Sequence, residues 1–438
     1  MPSDARQVAF TVVRRVFEDG AYADRALPAE ADRARLDARD RAFATRLAYG
    51  TVQRRGTLDH LLGGLADRPP DRLDPPVLAA ARLGLFQLLY LDGVPDRAAV
   101  AESVDLAKAT AGRGAAGLVN AVLRRAARED LLGPLSDDTP AGAAVKHSMP
   151  EWIARRWWQE VGRDTARALM VACNEPAETA LRANTLVTER DALAAALDAA
   201  THTDPLVPEA LVLDEPFDLR GSPEWEAGAA WPQSRAAMAV SRALMPRAGE
   251  RVLDLCAAPG GKATHLAALA GDRAEVVAVE RHPGRARALQ DTCTRLRATS
   301  VRIDIADAAD ARSDGPFDRV LVDPPCTGLG TLAAHPDLRW RVSPESADEL
   351  AALQGRILAA AAAATAPGGT LVYATCTVSA QENERVVEKL LRSTTDFDVE
   401  DLRDDFPAWH HPTDERFVLT LPSRDRTAGF FVARLRRR

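Results

Sequence analysis

The most constraining feature of this 438-residue chain is a regular alternation of apolar strands and helices that begins near residue 248. Short apolar runs ("RVLDLC", "AEVVAVE", "SVRIDIAD", "DRVLVD", "GTLVYATC") are separated by helical patterns such as "KATHLAALA". Strands of this kind are typical of a parallel sheet with helices on both faces. The pattern predicts a doubly wound, Rossmann-like α/β domain over residues 236–438, ending in the strand "GFFVARLRRR". Ligands of such domains bind beyond the carboxyl ends of the strands.

The first half of the chain follows different patterns. Residues 1–135 place apolar residues three and four positions apart, with prolines between the segments, which predicts an all-helical domain. The polar, Gly- and Pro-bearing stretch that follows predicts a linker over residues 136–149. From "EWIARRWWQEVG" onward helical and strand-like runs mix, which predicts a small α/β module over residues 150–235. The chain is therefore expected to be a multidomain protein.

Composition excludes several classes of protein. The longest apolar stretch, Val77 to Leu91, contains Arg82 and is shorter than the roughly 20 residues that a membrane helix needs. The N-terminus lacks the basic and apolar regions of a secretory signal, so we expect a soluble, cytoplasmic protein. The five cysteines form no C-x-x-C pair, which argues against a disulfide framework and against a zinc site. No metal is expected, and a monomer is the simplest expectation.

Charge alone does not identify a partner. The net charge is −7, whereas nucleic-acid-binding domains are often basic. Five local clusters are nevertheless rich in arginine, namely "VRRVF", "VQRRGT", "VLRRAAR", "ARRWW" and the terminal "RLRRR". Arginine suits bidentate contacts to phosphate. Each cluster taken singly is more simply a solvated face.

A glycine turn between the first strand and helix of the sheet predicts a nucleoside cofactor. In "VLDLCAAPGGKATHLA" the turn Pro259 to Gly261 lets backbone approach a ligand, and a helix begins near Lys262. The segment matches neither the P-loop nor the dinucleotide fingerprint. Glu280 ends the next strand, at the distance typical of an acid that binds ribose hydroxyls. Asp307 closes the third strand, where an adenine ring would lie, with Asp304 and Asp310 as rivals. S-adenosylmethionine fits these signs.

Two cysteines follow strand ends, Cys326 in "LVDPPCTGLG" and Cys376 in "TLVYATCTV". Amino-group methyltransferases carry an aromatic residue after a similar Asp-Pro-Pro, and a thiol cannot stack on a base. Cys326 in that place favours methylation at carbon. Carbon 5 of a pyrimidine is a poor nucleophile until a thiolate adds to carbon 6, which requires an activated cysteine. The other three cysteines, Cys173, Cys256 and Cys293, are expected to be structural.

The motifs resemble those of a known family. "LDLCAAPGGKATH", "LVDPPCTGLG" with "HPDLRWR", and "YATCTVSAQENE" are similar to the RNA 5-methylcytosine methyltransferases. "AYGTVQRRGTLDHLL", "AESVDLAK" and "LVNAVLRR" resemble the RNA-binding domain of the antitermination factor NusB. This pairing is that of the bacterial small-subunit ribosomal RNA cytosine-C5 methyltransferases, the Sun/Fmu family. The resemblance covers almost the whole chain, and it implies small-subunit ribosomal RNA as the partner.

The resemblance implies roles for individual residues. Cys376 matches the family nucleophile, and Cys326 matches the thiol that assists breakdown of the covalent adduct. Asp323 would hold the cytosine ring, and Lys262 would lie near the methionine portion of the cofactor or near the active site. The positions matching the cofactor-binding residues are Ala257, Ala258, Pro259, Gly260, Gly261, Lys262, Ala263, Glu280, Asp307 and Asp323.

The chain departs from the family pattern at two places. The usual Gln-Asp-Glu-Ala-Ser ahead of the cofactor motif reads "QSRAA" here, with Ser234 in place of the Asp. The usual Asp-Gly-Phe-Phe near the end reads "AGFF", beginning at Ala428. Because of these departures, local RNA or helix contacts of the family are not expected with certainty at Ser234 and Ala428. Neither departure changes Cys376, the residue that matches the family nucleophile. Two alternatives remain open: a DNA cytosine-C5 methyltransferase in which Cys326 attacks, and a non-catalytic factor that binds ribosomal RNA during assembly.

Overall fold

The chain forms two compact units in a computed structural model that describes residues 2–215, 217–310, 312 and 314–438. One unit comprises Met1–Glu175 together with Leu332–Arg341, and the other comprises Pro176–Thr331 together with Val342–Arg438. The multidomain organisation predicted from the sequence is confirmed, although a short segment of the second half belongs to the first unit.

The first unit is helical, as the spacing of its apolar residues predicted. Its helices are α1 Asp4–Glu18, α2 Ala23–Arg33, α3 Ala38–Gln53, α4 Arg55–Leu65, α5 Pro75–Tyr90, α6 Asp96–Ala126, α7 Pro140–Lys146, α8 Glu151–Glu160 and α9 Arg163–Ala172. The long helix α6 is broken at Gly112, whose φ of +84° is non-helical. No helix in the described part of the chain combines the length and the apolar character that crossing a membrane requires.

The segment predicted as a linker contains a helix. Helix α7 begins at Pro140, and the side chain of Thr139 accepts a hydrogen bond from the Gly142 amide at 3.1 Å. A capping threonine followed by proline at the first helical position is typical of a helix start. The same proline and glycine residues are also typical of loops, which is why the sequence predicts a linker here. Ala143 and Met149 are buried in this region. Helices α8 and α9 also belong to the first compact unit, whose first segment ends at Glu175.

The segment Leu332–Arg341 is anchored within the helical unit. The buried guanidinium of Arg339 donates hydrogen bonds to the carbonyl oxygens of Cys173 at 2.9 Å and Ser148 at 3.0 Å. Trp340 donates its indole N–H to the carbonyl of Val52 at 2.7 Å. Ten residues that follow the Pro-Cys motif in the chain are thus bound by helices from its first half.

The second unit begins with a small antiparallel sheet. Its elements are β1 Ala180–Ala183, α10 Arg190–Ala196, β2 Thr201–Thr203, β3 Ala210–Leu213, α11 Pro223–Glu226 and β4 Ala230–Pro232. The strand order is β2-β3-β1-β4, and every neighbouring pair is antiparallel. All four residues of β1 and of β3 are buried, because helices cover the sheet they occupy.

The remainder of this unit is a doubly wound α/β domain. Its elements are α12 Arg235–Leu244, β5 Arg251–Leu255, α13 Gly261–Leu269, β6 Glu275–Val279, α14 Pro283–Arg295, β7 Val301–Asp304, β8 Phe317–Val322, α15 Pro344–Ala364, β9 Thr365–Thr375, α16 Glu384–Ser393, β10 Phe397–Glu400, β11 Val418–Leu419, α17 Pro422–Asp425 and β12 Phe431–Arg437. The sheet order is β10-β12-β9-β8-β5-β6-β7, with β11 paired to β12. Strands β9 to β7 along this order are parallel, and β12 is antiparallel to both of its neighbours in the order.

Candidate functional site

The two strand-end cysteines lie side by side. Strands β8 and β9 are parallel neighbours, with Val322 opposite Tyr373. The two segments that follow them therefore leave the sheet side by side, at the carboxyl ends of its parallel strands. Cys326 and Cys376 follow these ends, and their Sγ atoms are 3.3 Å apart. Both side chains are half-buried. This distance lies within the range of a thiol hydrogen bond, so one sulfur can donate a proton to the other.

The environment of Cys326 favours its protonated form. The hydrogen bond to Cys376, together with burial and the charges of Cys376, Glu382 and Asp323, raises the pKa of Cys326 well above its usual value. The Cys326 thiol is therefore able to donate a proton to the neighbouring Cys376 sulfur.

A buried carboxylate holds the loop that carries Cys326. The two carboxylate oxygens of Glu382 accept hydrogen bonds from the Thr327 amide at 2.9 Å and from the Thr327 hydroxyl at 2.5 Å. Gln354 donates to the same carboxylate at 3.0 Å and to the Pro325 carbonyl at 2.9 Å. Glu382 lies within the quoted motif "YATCTVSAQENE", but no role was predicted for it. The position of this acid, six residues after the strand-end Cys376, is the sequence feature that could have indicated a role for Glu382 near the cysteines.

At Gly330, the loop after Cys326 lies so close to the backbone of Gly429 that only glycine fits. Gly330 donates its amide to the Cys376 carbonyl at 3.0 Å and accepts from the Gly429 amide at 2.8 Å. A Cβ atom on Gly330 would lie 2.0 Å from the Gly429 carbonyl oxygen. The two cysteine loops and the segment before β12 are therefore held together by backbone contacts.

Lys262 forms an ion pair with Asp323. Lys262 Nζ lies 2.6 Å from Asp323 Oδ2, and the ammonium lies 5.3 Å from the centre of the Phe430 ring. Burial acts to lower the pKa of Lys262, but the Asp323 carboxylate outweighs it and raises that pKa above its usual value. The lysine therefore stays charged, and it connects the glycine turn to the Pro-Cys loop.

The glycine turn adopts a strained conformation beyond β5. Cys256 has a φ of +77°, which L-residues other than glycine, asparagine and aspartate rarely adopt. Gly260 has a φ of +108°, and a Cβ atom there would lie 2.8 Å from a methyl group of Leu289. Such strain persists where surrounding structure enforces it, and it clusters at functional sites.

Arg182 on β1 braces this turn from the small sheet. Its guanidinium is almost completely buried and donates to the Gly261 carbonyl at 2.5 Å and to the Thr264 hydroxyl at 2.9 Å. Burial lowers the pKa of Arg182 to about 9, which leaves it charged at neutral pH. This contact could not be predicted from the sequence, because 79 positions separate Arg182 from Gly261.

Asp254, near the end of β5, is a buried acid with no hydrogen-bond partner in the described part of the chain. Its side chain is 1% exposed, and neither carboxylate oxygen has a partner among the described residues. Burial and the nearby charge of Asp323 raise the pKa of Asp254 to about 7. An orphaned carboxylate beside the glycine turn fits a cationic ligand group, such as the α-amino group of a methionine-bearing cofactor.

The predicted strand-end acids occupy two positions along the same edge. Glu280 follows β6, is buried, and accepts the amide of His282 at 2.9 Å. Asp307, beyond β7, accepts the amide of Ala309 at 2.9 Å. The rival Asp304 is ion-paired with Arg312 at 2.7 Å, whereas the ion pair of Asp307 with Arg281 is longer, at 3.8 Å, which leaves Asp307 more available to a ligand than Asp304.

Both departures from the family pattern have local explanations. Ser234 caps α12 by accepting the Ala237 amide at 3.2 Å, a role that serine and aspartate fill equally well. Arg235, which replaces the family's glutamate, is ion-paired with Asp204 at 2.5 Å and with Glu178. The carbonyl of Ala428 accepts the Thr420 hydroxyl at 2.6 Å, a backbone contact that does not require an acidic side chain.

The other cysteines have structural surroundings. Cys173 and Cys293 are buried, and burial raises their pKa values to about 11 and about 12. Within residues 2–215, 217–310, 312 and 314–438, no group of three or more His, Cys, Asp and Glu side chains is arranged to hold a metal ion.

A doubly wound sheet with a strained glycine turn and acids beyond its parallel strand ends defines a Rossmann-like domain, a class that binds nucleoside ligands at this position. Three family models match the chain in consecutive stretches. Residues 3–128 match the NusB family, residues 149–220 match the ferredoxin-like domain of RsmF/B-like methyltransferases, and residues 241–436 match the 16S rRNA methyltransferase RsmB/F.

Two relatives of nearly equal length show the family. "Probable ribosomal RNA small subunit methyltransferase B" of Synechocystis sp. is 36% identical over 99% of both chains. "Ribosomal RNA small subunit methyltransferase B" of Escherichia coli is 32% identical over 98% of both chains. The chain therefore belongs to the RsmB/F family of 16S rRNA methyltransferases, as its motifs suggested.

Solved structures show the same fold. The crystal structure of PH0851 aligns with 99% of both chains at a TM-score of 0.85 and 24% identity. A methyltransferase homolog protein from Pyrococcus horikoshii aligns with 69% of this chain and 99% of its own at a TM-score of 0.62 and 26% identity.

Proposed function

We propose that this protein transfers a methyl group from S-adenosylmethionine to carbon 5 of a cytosine in 16S ribosomal RNA, through a covalent bond between Cys376 and the base. The observation that carries the proposal is the 3.3 Å separation of the Cys326 and Cys376 sulfurs beyond the sheet edge. Carbon-5 methylation needs a nucleophilic thiolate and a second group that assists release, and two adjacent cysteines could supply both.

The residues of the glycine turn suit the cofactor. Ala257 to Ala263 would surround its methionine portion, with the orphaned carboxylate of Asp254 facing its amino group. Glu280 would accept hydrogen bonds from ribose hydroxyls, and Asp307 would contact the adenine. When bound, S-adenosylmethionine supplies the electrophilic methyl group.

The protein's own side chains account for the remaining steps. Cys376, as its thiolate, would bond to carbon 6 of the cytosine. Carbon 5 of the resulting enamine would then take the methyl group, with S-adenosylhomocysteine as the leaving group. The proton on carbon 5 is then lost to a base, and the bond to Cys376 breaks, which restores the aromatic ring and the thiolate. Asp323 would hydrogen-bond the ring during attack, and Cys326 would assist the elimination.

The substrate base must leave its stack to reach both sulfurs. Flipping a paired base costs a few kcal/mol, and an unpaired base costs less, so single-stranded or loop RNA is the favoured substrate. The NusB-like and ferredoxin-like parts of the chain would contribute RNA contacts around the target.

Bisulfite sequencing of 16S rRNA, after incubation with the protein and S-adenosylmethionine, tests this proposal. We expect one cytosine to become resistant to conversion with the wild-type protein and none with Cys376→Ala. Naked RNA and partly assembled subunits should be tested separately, beside DNA of the same sequence. Methylation of the DNA alone would favour a DNA methyltransferase. Tight RNA binding without cofactor binding would favour a non-catalytic assembly factor.

A further inference from the structure

In four of the five arginine clusters, every arginine has a partner within the protein. Their guanidinium groups are ion-paired with acids or stacked on aromatic rings: Arg14 with Glu18, Arg15 with Glu30, Arg54 on Tyr90, Arg55 with Asp59, Arg155 with Glu151, Arg156 on Trp152, Arg434 and Arg436 with Glu400, Arg437 with Asp396, and Arg438 with Asp398. The ion-paired arginines are poorer candidates for phosphate binding, because a phosphate would have to compete with the acid. A stacked arginine keeps its charge, but the aromatic ring restricts its position.

The cluster "VLRRAAR" near the end of α6 is the exception. Arg125 is paired with Glu129 at 3.0 Å, but Arg124 and Arg128 have no ionic or aromatic partner among the described residues. Arg97, in the first turn of the same helix, has none either. All three side chains are exposed. Positive charge that the protein leaves uncompensated is available to a ligand.

These three arginines line one cavity of about 560 Å³. Residues from both halves of α6, on either side of the break at Gly112, line this cavity. Those from the first half are Asp96, Arg97, Val100, Ala101, Val104 and Asp105, and those from the second half and the residues that follow it are Asn120, Arg124, Ala127 and Arg128. The volume lies within the range of roughly 300–1,000 Å³ that small-ligand sites occupy. A single nucleotide fits such a space.

We propose that the α6 cavity binds an unstacked nucleotide of the ribosomal RNA substrate and its flanking phosphates, an inference that rests on the proposed RNA substrate. The guanidinium groups of Arg97, Arg124 and Arg128 present planar donor pairs that match phosphate oxygens. Asn120 and Asp96 add groups able to hydrogen-bond a base edge, and Val100 offers an apolar surface. Three positive charges outweigh the two acids of the lining, Asp96 and Asp105, so an anionic ligand is favoured.

The test uses the full-length triple variant Arg97→Ala/Arg124→Ala/Arg128→Ala. Fluorescence anisotropy with a 16S rRNA fragment should show an affinity lower by about 10- to 100-fold at moderate salt. The slope of log affinity against log salt should decrease by about 2, since each phosphate contact to single-stranded RNA contributes roughly 0.7. The KM for RNA should rise, and kcat at saturating RNA should be retained.

The matched control is Arg125→Ala/Arg155→Ala, which removes two arginines that are already ion-paired. It should bind RNA like the wild type. Equal affinities and salt slopes for the triple variant and this control, in proteins with equal thermal stability, would overturn the inference. So would normal RNA binding with lost activity only on partly assembled subunits, since a protein partner would then occupy the cavity. If the wild type binds RNA through these arginines but methylates no cytosine, the proposed function fails and the cavity inference remains.

Discussion

Cys326 and Cys376 are fifty positions apart in the chain, yet their sulfur atoms lie 3.3 Å from each other. The parallel pairing of β8 and β9 produces this proximity, because both strands end at the same sheet edge. The hydrogen bond between them contributes to raising the pKa of Cys326, which favours its protonated form. We propose Cys376 as the nucleophile and Cys326 as the group that assists release, as the family resemblance implies.

Glu382→Ala is expected to slow methyl transfer by loosening the loop that carries Cys326. The substitution leaves the Thr327 amide without its acceptor and the Thr327 hydroxyl with only the Thr377 hydroxyl at 3.0 Å, and an unsatisfied buried group costs about 1–3 kcal/mol. The loop that carries Cys326 should become more mobile, and the rate of methyl transfer should therefore fall by about tenfold or more. Steady-state methylation and urea denaturation measure both effects.

The control for this prediction is Glu388→Ala, which alters an exposed acid of α16 paired with Arg392. Such a surface pair contributes at most about 1 kcal/mol. If Glu382→Ala matched this control in turnover, the role of Glu382 in positioning Cys326 would be rejected.

Arg182→Met should weaken cofactor binding more than it slows chemistry. The variant loses the hydrogen bonds to the Gly261 carbonyl and to Thr264, so the glycine turn is no longer braced. A loss of about 1.4 kcal/mol of binding free energy would raise the Kd for S-adenosylmethionine about tenfold. Isothermal titration calorimetry with the cofactor, beside Arg190→Ala on the same module, checks this. A lowered kcat with unchanged cofactor affinity would contradict it.

Asp254→Asn should stabilise the protein in a pH-dependent way. The pKa of Asp254 is raised from 3.8 to about 7 in the folded state, so the folded protein retains a proton that the unfolded chain releases. The wild type therefore loses stability as pH rises from about 4 to 7, at up to roughly 1.4 kcal/mol per pH unit. Asparagine lacks this titration. The difference in unfolding free energy should grow over that interval and level off above pH 7; a constant difference would contradict the assignment.

Features encoded locally were predictable from the sequence. Apolar strands alternating with helices identified the doubly wound domain, and the spacing of glycines, acids and cysteines relative to strand ends identified residues that lie along one sheet edge. The helix α7 was missed because Pro140 and Gly142 read as a loop, although Thr139 and Pro140 also form a helix start.

Features that depend on distant contacts could not be predicted. Arg182 reaches the glycine turn from another sheet, and Arg339 reaches carbonyls that lie more than 160 positions earlier in the chain. Nothing local to Asp254 indicates that its carboxylate lacks a partner, because burial and hydrogen bonding are properties of the folded chain. The motifs predicted which residues form the candidate site, and the contacts that hold those residues in place are visible only in the folded chain.

The most direct test of the account is the fate of the covalent adduct in the two cysteine variants. Cys326→Ala, incubated with 16S rRNA and S-adenosylmethionine, should accumulate a protein–RNA adduct that migrates as a shifted band on a denaturing gel. Cys376→Ala and the double variant should form none. An adduct with Cys376→Ala, together with normal turnover by Cys326→Ala, would contradict the assigned roles of the two sulfurs.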